Sequence, residues 1–140
     1  MRILIAEDDF GTRRIMSKLF GHLGEVNVAV DGLEAISALE SAIKEGEPYD
    51  LILLDVMMPN MDGHEVLKRI RHLEREQADK LEHRAKVIMT TVCEEREAII
   101  RSFQGKCDGY LIKPVTAEMI MDELERLHGE EEAEHVSGAG

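Results

Sequence analysis

The stretch Leu51-Ile52-Leu53-Leu54-Asp55-Val56-Met57-Met58-Pro59-Asn60-Met61-Asp62-Gly63 runs four apolar residues straight into a carboxylate. An unbroken apolar run of this length suits a strand buried on both faces, as in a parallel sheet; a strand with one face in water alternates instead. The same form recurs on either side, in Ile3-Leu4-Ile5-Ala6, Val87-Ile88-Met89 and Tyr110-Leu111-Ile112. Val26-Asn27-Val28-Ala29-Val30 sets its valines against Asn27 and Ala29, the pattern of a strand at a sheet edge.

Between these runs lie helical patterns. Ile15, Leu19 and Leu23 fall on one face, as do Ile36, Leu39 and Ile43, then Val66, Ile70 and Leu73. Ile99 and Phe103 make a weaker fourth face, and Ile120, Leu124 and Leu127 a fifth. Gly21 and Gly24 close the first helix, Gly46 and Pro48 the second, and Gly105 and Gly109 flank the end of the fourth, while Thr116 is placed as the N-cap of the fifth. Five β-α units predict a three-layer α/β domain with right-handed crossovers. Residues 1–128 form that domain, and the acidic segment 129–140, with no apolar periodicity, is expected to be a disordered tail.

The chain of 140 residues carries 17 Lys and Arg against 29 Asp and Glu, a net charge of −12. That balance argues against nucleic acid and against an anionic membrane surface, both of which need clustered cations. The two cysteines, Cys93 and Cys107, form no C-x-x-C pair, and the N-terminus turns acidic at Glu7 before a signal-peptide core could form. No apolar run approaches the roughly 20 residues that span a bilayer. A cytoplasmic protein without membrane insertion is the expectation.

In a parallel α/β sheet, ligands gather beyond the carboxyl ends of the strands. Glu7, Asp8 and Asp9 follow the first strand, Asp55 ends the third, Thr90-Thr91 the fourth and Lys113-Pro114 the fifth. Two carboxylates about 4 Å apart repel by about 4 kcal/mol at an effective dielectric near 20, so one must take a proton or a cation must sit among them. Hard oxygen donors at a shallow rim suit Mg²⁺, which takes one or two carboxylates and keeps room for phosphate oxygens. Asp55 is the best nucleophile, since a carboxylate can form an acyl phosphate, and Lys113 is placed to neutralise incoming phosphoryl oxygens.

These residues resemble the receiver domain of two-component response regulators, in particular the stand-alone receivers of chemotaxis. The resemblance runs from about Arg2 to Leu127. It rests on Glu7-Asp8, on Asp55 through Gly63, on Thr91, and on Tyr110-Leu111-Ile112-Lys113-Pro114, in this order. It implies a flavodoxin-like fold, with a five-stranded parallel sheet of order 2-1-3-4-5 and five helices. It implies that Asp55 is the phosphoacceptor and that Mg²⁺ is held by Asp8, by Asp55, by the backbone carbonyl of Met57 and, through water, by Glu7. Lys113 contacts the phosphoryl group, Thr91 hydrogen-bonds it, Tyr110 is the switch aromatic, and the Lys113–Pro114 bond is cis. The implied protein is not an enzyme in its own right but a phosphoprotein of signal transduction. A histidine kinase or phosphotransfer protein donates to it. It signals to a protein target through the face of the fourth helix, fifth strand and fifth helix, a face that also allows a homodimer.

Three residues depart from the family pattern. Val92 follows Thr91 where a small side chain is usual, and Cys93 and Met57 stand two positions beyond Thr91 and Asp55, where neither orients water well. A comparatively long-lived acyl phosphate is the expectation. A full switch needs about 5.5 kcal/mol of differential interaction. One charge-assisted bond from Thr91 supplies about 1.5–3 kcal/mol. Lys113 and backbone donors must therefore contribute.

The segment Lys68–Lys86 holds seven basic and four acidic residues, a net of +3 in an acidic chain. It reads first as a solvated helix extension and second as a docking surface for an acidic partner. The six histidines include no i,i+3 or i,i+4 pair, the methionines read as packing groups, and no nucleotide-binding glycine motif occurs. Two rival readings remain. A Mg²⁺-dependent phosphohydrolase with an aspartyl-phosphate intermediate wants an acid two residues after the nucleophile, where Met57 stands. An adaptor independent of phosphorylation has no use for the full set of acids with Thr91 and Lys113.

Overall fold

The computed structural model describes residues 1–92 and 107–139, with 130–139 described as backbone only. The elements run β1 (Arg2–Ala6), α1 (Phe10–Phe20), β2 (Glu25–Ala29), α2 (Gly32–Lys44), β3 (Leu51–Asp55) and α3 (Gly63–Glu76). A 3₁₀ turn (Ala78–Lys80), β4 (Lys86–Thr91), β5 (Gly109–Ile112) and α4 (Ala117–Ala139) complete them. The five strands form one parallel sheet of order β2-β1-β3-β4-β5. The helix expected around Ile99 and Phe103, and Cys93, lie outside the described residues; the helix expected fifth is α4.

The continuous apolar runs feed two cores. Leu4, Ile52, Leu54, Val87 and Met89 face α2 and α3, packing with Ile36, Leu39, Val66 and Ile70. The intervening residues Ile3, Ile5, Leu51, Leu53, Ile88 and Leu111 face α1 and α4, packing with Met16, Phe20, Ile120 and Leu127. Every residue of β3 is buried, so the central strand contributes to both layers. Each such side chain stabilises the fold by about 1.5–3 kcal/mol relative to exposure.

The sheet edge and two of the helices depart from the sequence reading in detail. β2 is an edge strand, but Val28 and Val30 are the exposed side chains and Ala29 is fully buried. Asn27, on the same face as Ala29, is satisfied by donating from Nδ2 to Tyr49 Oη at 2.9 Å. In α1 the buried face is centred on Met16 and Phe20; of the expected residues Leu19 and Leu23 pack against that core at its edge, while Ile15 is 59% exposed. α4 passes Gly129 and continues to Ala139. A helical glycine costs about 1 kcal/mol, and the Glu-Ala sequence that follows has favourable helix propensity. The backbone therefore shows no break at the expected boundary of domain and tail.

Candidate functional site

The carboxyl ends of β1, β3 and β4 and the turn after β5 converge on a cleft of about 320 Å³. It is lined by Glu7, Asp8, Asp9, Thr12, Asp55, Met57, Thr91, Val92 and Lys113. Parallel register sets these positions: Ala6 pairs with Leu54, and Asp55 with Thr90, so the residues just past each strand share one rim.

Glu7 and Asp55 are buried and Asp8 is exposed, and carboxylate oxygens of all three lie within 4.8 Å of one another. Lys113 Nζ donates to both oxygens of Glu7, at 2.9 and 2.8 Å, and stands 3.3 Å from Asp55 Oδ2. One ammonium thus pairs with two members of a three-carboxylate cluster. Burial, and the negative charge of Glu7, push the Asp55 carboxyl up to about 7, against the opposing pull of Lys113 and the Met57 amide. That amide donates to Asp55 Oδ1 at 3.2 Å. Burial alone pulls the Lys113 ammonium down, but its bonds to Glu7 and the charges of Asp55 and Glu7 outweigh this, and its net shift is upward. Lys113 is therefore charged throughout the neutral range.

Asp9 does not join the cluster. It caps α1, accepting from Thr12 N and Thr12 Oγ1, both at 2.8 Å, and these bonds hold its carboxyl below the usual range. The loop between β1 and α1 is fixed by Arg13, whose Nη1 donates to the Glu7 carbonyl at 2.9 Å and the Asp8 carbonyl at 3.3 Å.

Thr91 ends β4 with its hydroxyl buried and unpartnered among the described residues, like that of Thr90. A buried hydroxyl without a partner costs about 1–3 kcal/mol, and Thr91 is among the residues that line the cleft. Its carbonyl accepts from the Lys113 amide at 2.6 Å, and the Lys113–Pro114 bond that follows is cis, as the sequence reading expects. Tyr110 sits on β5, partly buried against the α2–α3 core and in register with Met89.

The loop after Asp55 has supports that the sequence reading missed. Gly63 donates its amide to the Val56 carbonyl at 3.0 Å, and a Cβ there would lie 2.5 Å from the Asp55 carbonyl oxygen. Asn60 takes a positive φ of 70° and donates from Nδ2 to Asp31 Oδ2 at 2.8 Å. Asp31 is also the N-cap of α2. The available sequence signal was turn chemistry, since Asn tolerates the left-handed region and Asp-Gly opens a helix. Nothing in the sequence paired residues 31 and 60.

The donor set suits a hard divalent cation: it is all oxygen, largely pre-assembled and short of positive charge. Among the described residues no helix is long and apolar enough to cross a membrane.

Comparison with known proteins agrees with this geometry. The family model described as "Response regulator receiver domain" matches residues 3–125. The chemotaxis protein CheY-3 of Vibrio cholerae is 36% identical over 129 residues, covering 91% of each chain. The solved structure of the Vibrio cholerae chemotaxis response regulator CheY4 is 28% identical. It superposes with a TM-score of 0.72 over 90% of this chain and 97% of that one. The receiver domain of Saccharomyces cerevisiae Ssk1, solved with the histidine phosphotransfer protein Ypd1, is 25% identical. Its TM-score is 0.72, covering 86% of this chain and 83% of that one. With its sheet order, its acidic cleft and a family match over most of its length, this chain belongs to the response regulator receiver domains.

Proposed function

We propose that this receiver is a Mg²⁺-dependent phosphoacceptor that takes a phosphoryl group on Asp55 and signals by protein contact. The observation that carries the reading is the shared placement of Lys113 between Glu7 and Asp55, inside a carboxylate cluster it cannot neutralise alone. Asp8, Asp55 and the Met57 carbonyl, with Glu7 through water, are the residues that would hold Mg²⁺. When bound, the ion supplies the positive charge that lets phosphoryl oxygens enter an acidic cleft.

The chemistry of the chain's own residues is simple. An Asp55 carboxylate oxygen attacks phosphorus, and the new O–P bond forms as the donor's N–P bond breaks. The electron pair of the N–P bond stays on the departing nitrogen, and the ring, which keeps the proton on its other nitrogen, leaves as neutral imidazole. Lys113 shifts from Glu7 toward the incoming oxygens, and Thr91 Oγ1 donates to one of them, gaining the partner it lacks. Tyr110 then follows, altering the surface of β5 and α4 together with the helix expected around Ile99. The donor class is a histidine kinase or a phosphotransfer protein, as in the yeast complex. The workplace is the cytoplasm, and residues 129–140 are an appendage to the receiver unit 1–128.

Incubation with acetyl phosphate, with and without Mg²⁺, and intact mass measurement test this directly. One phosphoryl adduct is expected with Mg²⁺, none with chelator, and none on Asp55→Asn. Metal-independent labelling, or equal labelling of Asp55→Asn, overturns the reading; no labelling points to the adaptor, and steady turnover of small phosphate esters to the phosphohydrolase.

A further inference from the structure

Two short connections meet at the carboxyl-end rim of the sheet: the turn from β2 into α2, at Asp31 and Gly32, and the loop from β3 into α3, residues 56–62. The loop is closed at its base, where the Gly63 amide donates to the Val56 carbonyl at 3.0 Å. Its near side faces the cleft: Met57 is a lining residue, its amide donates to Asp55 Oδ1 at 3.2 Å, and its carbonyl is one of the groups that would hold Mg²⁺. Its far side is a three-residue turn around Asn60, in which the Met61 amide donates to the Pro59 carbonyl at 2.8 Å and Asn60 takes a φ of 70°. A γ-turn with a positive central φ is the rarer, strained form, and such a conformation persists only where its surroundings impose it.

The start of α2 supplies those surroundings. Asp31 Oδ2 accepts from Asn60 Nδ2 at 2.8 Å, while Oδ1 accepts from the Glu34 amide at 2.8 Å and caps α2. One carboxylate thus serves two elements, one oxygen each. The Glu34 amide first, and Asn60 second, hold the Asp31 carboxyl below its ordinary range, so it is ionised at neutral pH and both bonds are charge-assisted. Beside it Gly32 is buried against the same turn: a Cβ there would lie 2.3 Å from the Met61 carbonyl oxygen and 2.8 Å from Val66 Cγ2. Met61 packs in turn on the α2–α3 core.

We propose that Asp31 is a positioning residue of the cleft: through Asn60 it holds the loop that carries the Met57 amide to Asp55 and the Met57 carbonyl toward the cation. The role rests on the Mg²⁺ reading of the cleft. Asp31 is not among the residues that line the cleft, and it acts by restricting where residues 57–60 sit. Pro59 fixes its own φ and restricts Met58, so a rotation at Asn60 is not absorbed between them and reaches Met57.

Two variants separate this role from helix capping. Asp31→Ser keeps an N-cap of equal rank, but its one oxygen, taken by the Glu34 amide, leaves none for Asn60. Asn60→Gly takes the positive φ without steric cost but donates nothing to Asp31. In calorimetric titration with MgCl₂ each is expected to bind about three- to tenfold more weakly than the wild type, less than the roughly 10–100-fold typical where a group bonded directly to a metal ligand is lost. The double variant is expected to match the weaker single variant, because both substitutions remove the same bond. In the metal-free protein the Met57 and Met61 amides are expected to exchange hydrogen at least about threefold faster in both variants, while the urea midpoint of Asp31→Ser stays at the wild-type value. A capping role alone would do the reverse, lowering the midpoint and leaving Met57 protected. A variant that matches the wild type in Mg²⁺ affinity or in Met57 exchange overturns the role, as does a double variant whose losses multiply. A wild-type chain that binds no Mg²⁺ overturns the metal reading of the cleft, and the role with it.

Discussion

The ammonium of Lys113 lies closer to Glu7 than to Asp55, at 2.8 and 2.9 Å from the two Glu7 oxygens and 3.3 Å from Asp55 Oδ2. Glu7 thus holds the ammonium that the proposed phosphoacceptor Asp55 would need, and burial together with the Glu7 charge lifts the Asp55 carboxyl. Glu7→Gln removes that charge and leaves Lys113 to Asp55. The Asp55 carboxyl is expected to fall below its value of about 7, read by carbon NMR titration of the metal-free protein. Because Glu7 is also proposed to hold Mg²⁺ through water, Mg²⁺ affinity is expected to drop about tenfold or more, measured by calorimetry. An unchanged Asp55 titration would show that burial alone sets its value.

The same lift makes stability depend on pH. Asp55 titrates near 7 in the folded chain against an ordinary value of 3.8, so the folded state binds the proton more tightly. The group's contribution is fully present below about pH 4 and is lost as pH rises through about 7. Asp55→Asn mimics the protonated acid. In chelator it is expected to stabilise the protein by about 1–3 kcal/mol at pH 8, discounted for the open side of the cleft, and by less than half as much at pH 5. Urea unfolding at both values checks this, and Mg²⁺ should restore wild-type stability at pH 8 more than it stabilises the variant.

The strands were legible in the sequence because a parallel sheet demands unbroken apolar runs, and Leu51 through Asp55 has no other comfortable fate. The rim residues were legible because topology alone carries Glu7, Asp55, Thr91 and Lys113 to one edge. Helix phase was less so. Ile15-Leu19-Leu23 and Met16-Phe20 are stripes one residue apart, about 100° of rotation, and periodicity accepts either. Packing chose Met16 and Phe20, leaving Ile15 outside. The Asp31–Asn60 bond and the Arg13 clamp on the Glu7 carbonyl join residues with no shared pattern, so only the fold reveals them.

Gly63 is required by closeness, since its φ is ordinary but a Cβ would fall 2.5 Å from the Asp55 carbonyl oxygen and 2.9 Å from Val56 Cα. Both neighbours are backbone and cannot swing aside. Gly63→Ala is expected to destabilise by about 2–3 kcal/mol or more, in the range of overpacked sites, and to slow Mg²⁺-dependent labelling of Asp55 in the molecules that remain folded. Denaturant midpoints and labelling rates read the two effects separately. Wild-type values of both would mean that the loop after Asp55 yields more readily than its packing implies.

Arg71 anchors the opposite end. Its buried guanidinium donates to Glu74 Oε1 at 2.6 Å, the Ala85 carbonyl at 2.9 Å and Asp108 Oδ2 at 2.9 Å, tying α3 to the strand pair β4–β5. Glu74 and Asp108 in turn accept from the amides of Ala85 and Val87. Arg71→Ala leaves the nearly buried Glu74 carboxylate without a cation and Asp108 with Arg84 as its remaining ion-pair partner, and is expected to cost about 3–5 kcal/mol, measured by thermal or urea unfolding. The folded fraction should label at the wild-type rate, since the network lies a full strand length from Asp55.

Thr91 offers the sharpest separation of chemistry from signalling. Its hydroxyl is buried without a partner among the described residues, so Thr91→Ala removes a cost along with a few atoms. Metal-free stability is expected to change by less than about 1 kcal/mol. Asp55 should still accept phosphate, because the nucleophile, Lys113 and the carboxylate cluster are intact. The phosphorylated variant, however, lacks the donor that draws the end of β4 toward the new charge. That bond is worth about 1.5–3 kcal/mol, a tenfold to hundredfold share of the shift between signalling states. Hydrogen exchange at Tyr110 and along β5 should therefore respond to phosphorylation in the wild type and respond weakly in Thr91→Ala. An equal response in both would place the coupling in Lys113 and its backbone link to Thr91.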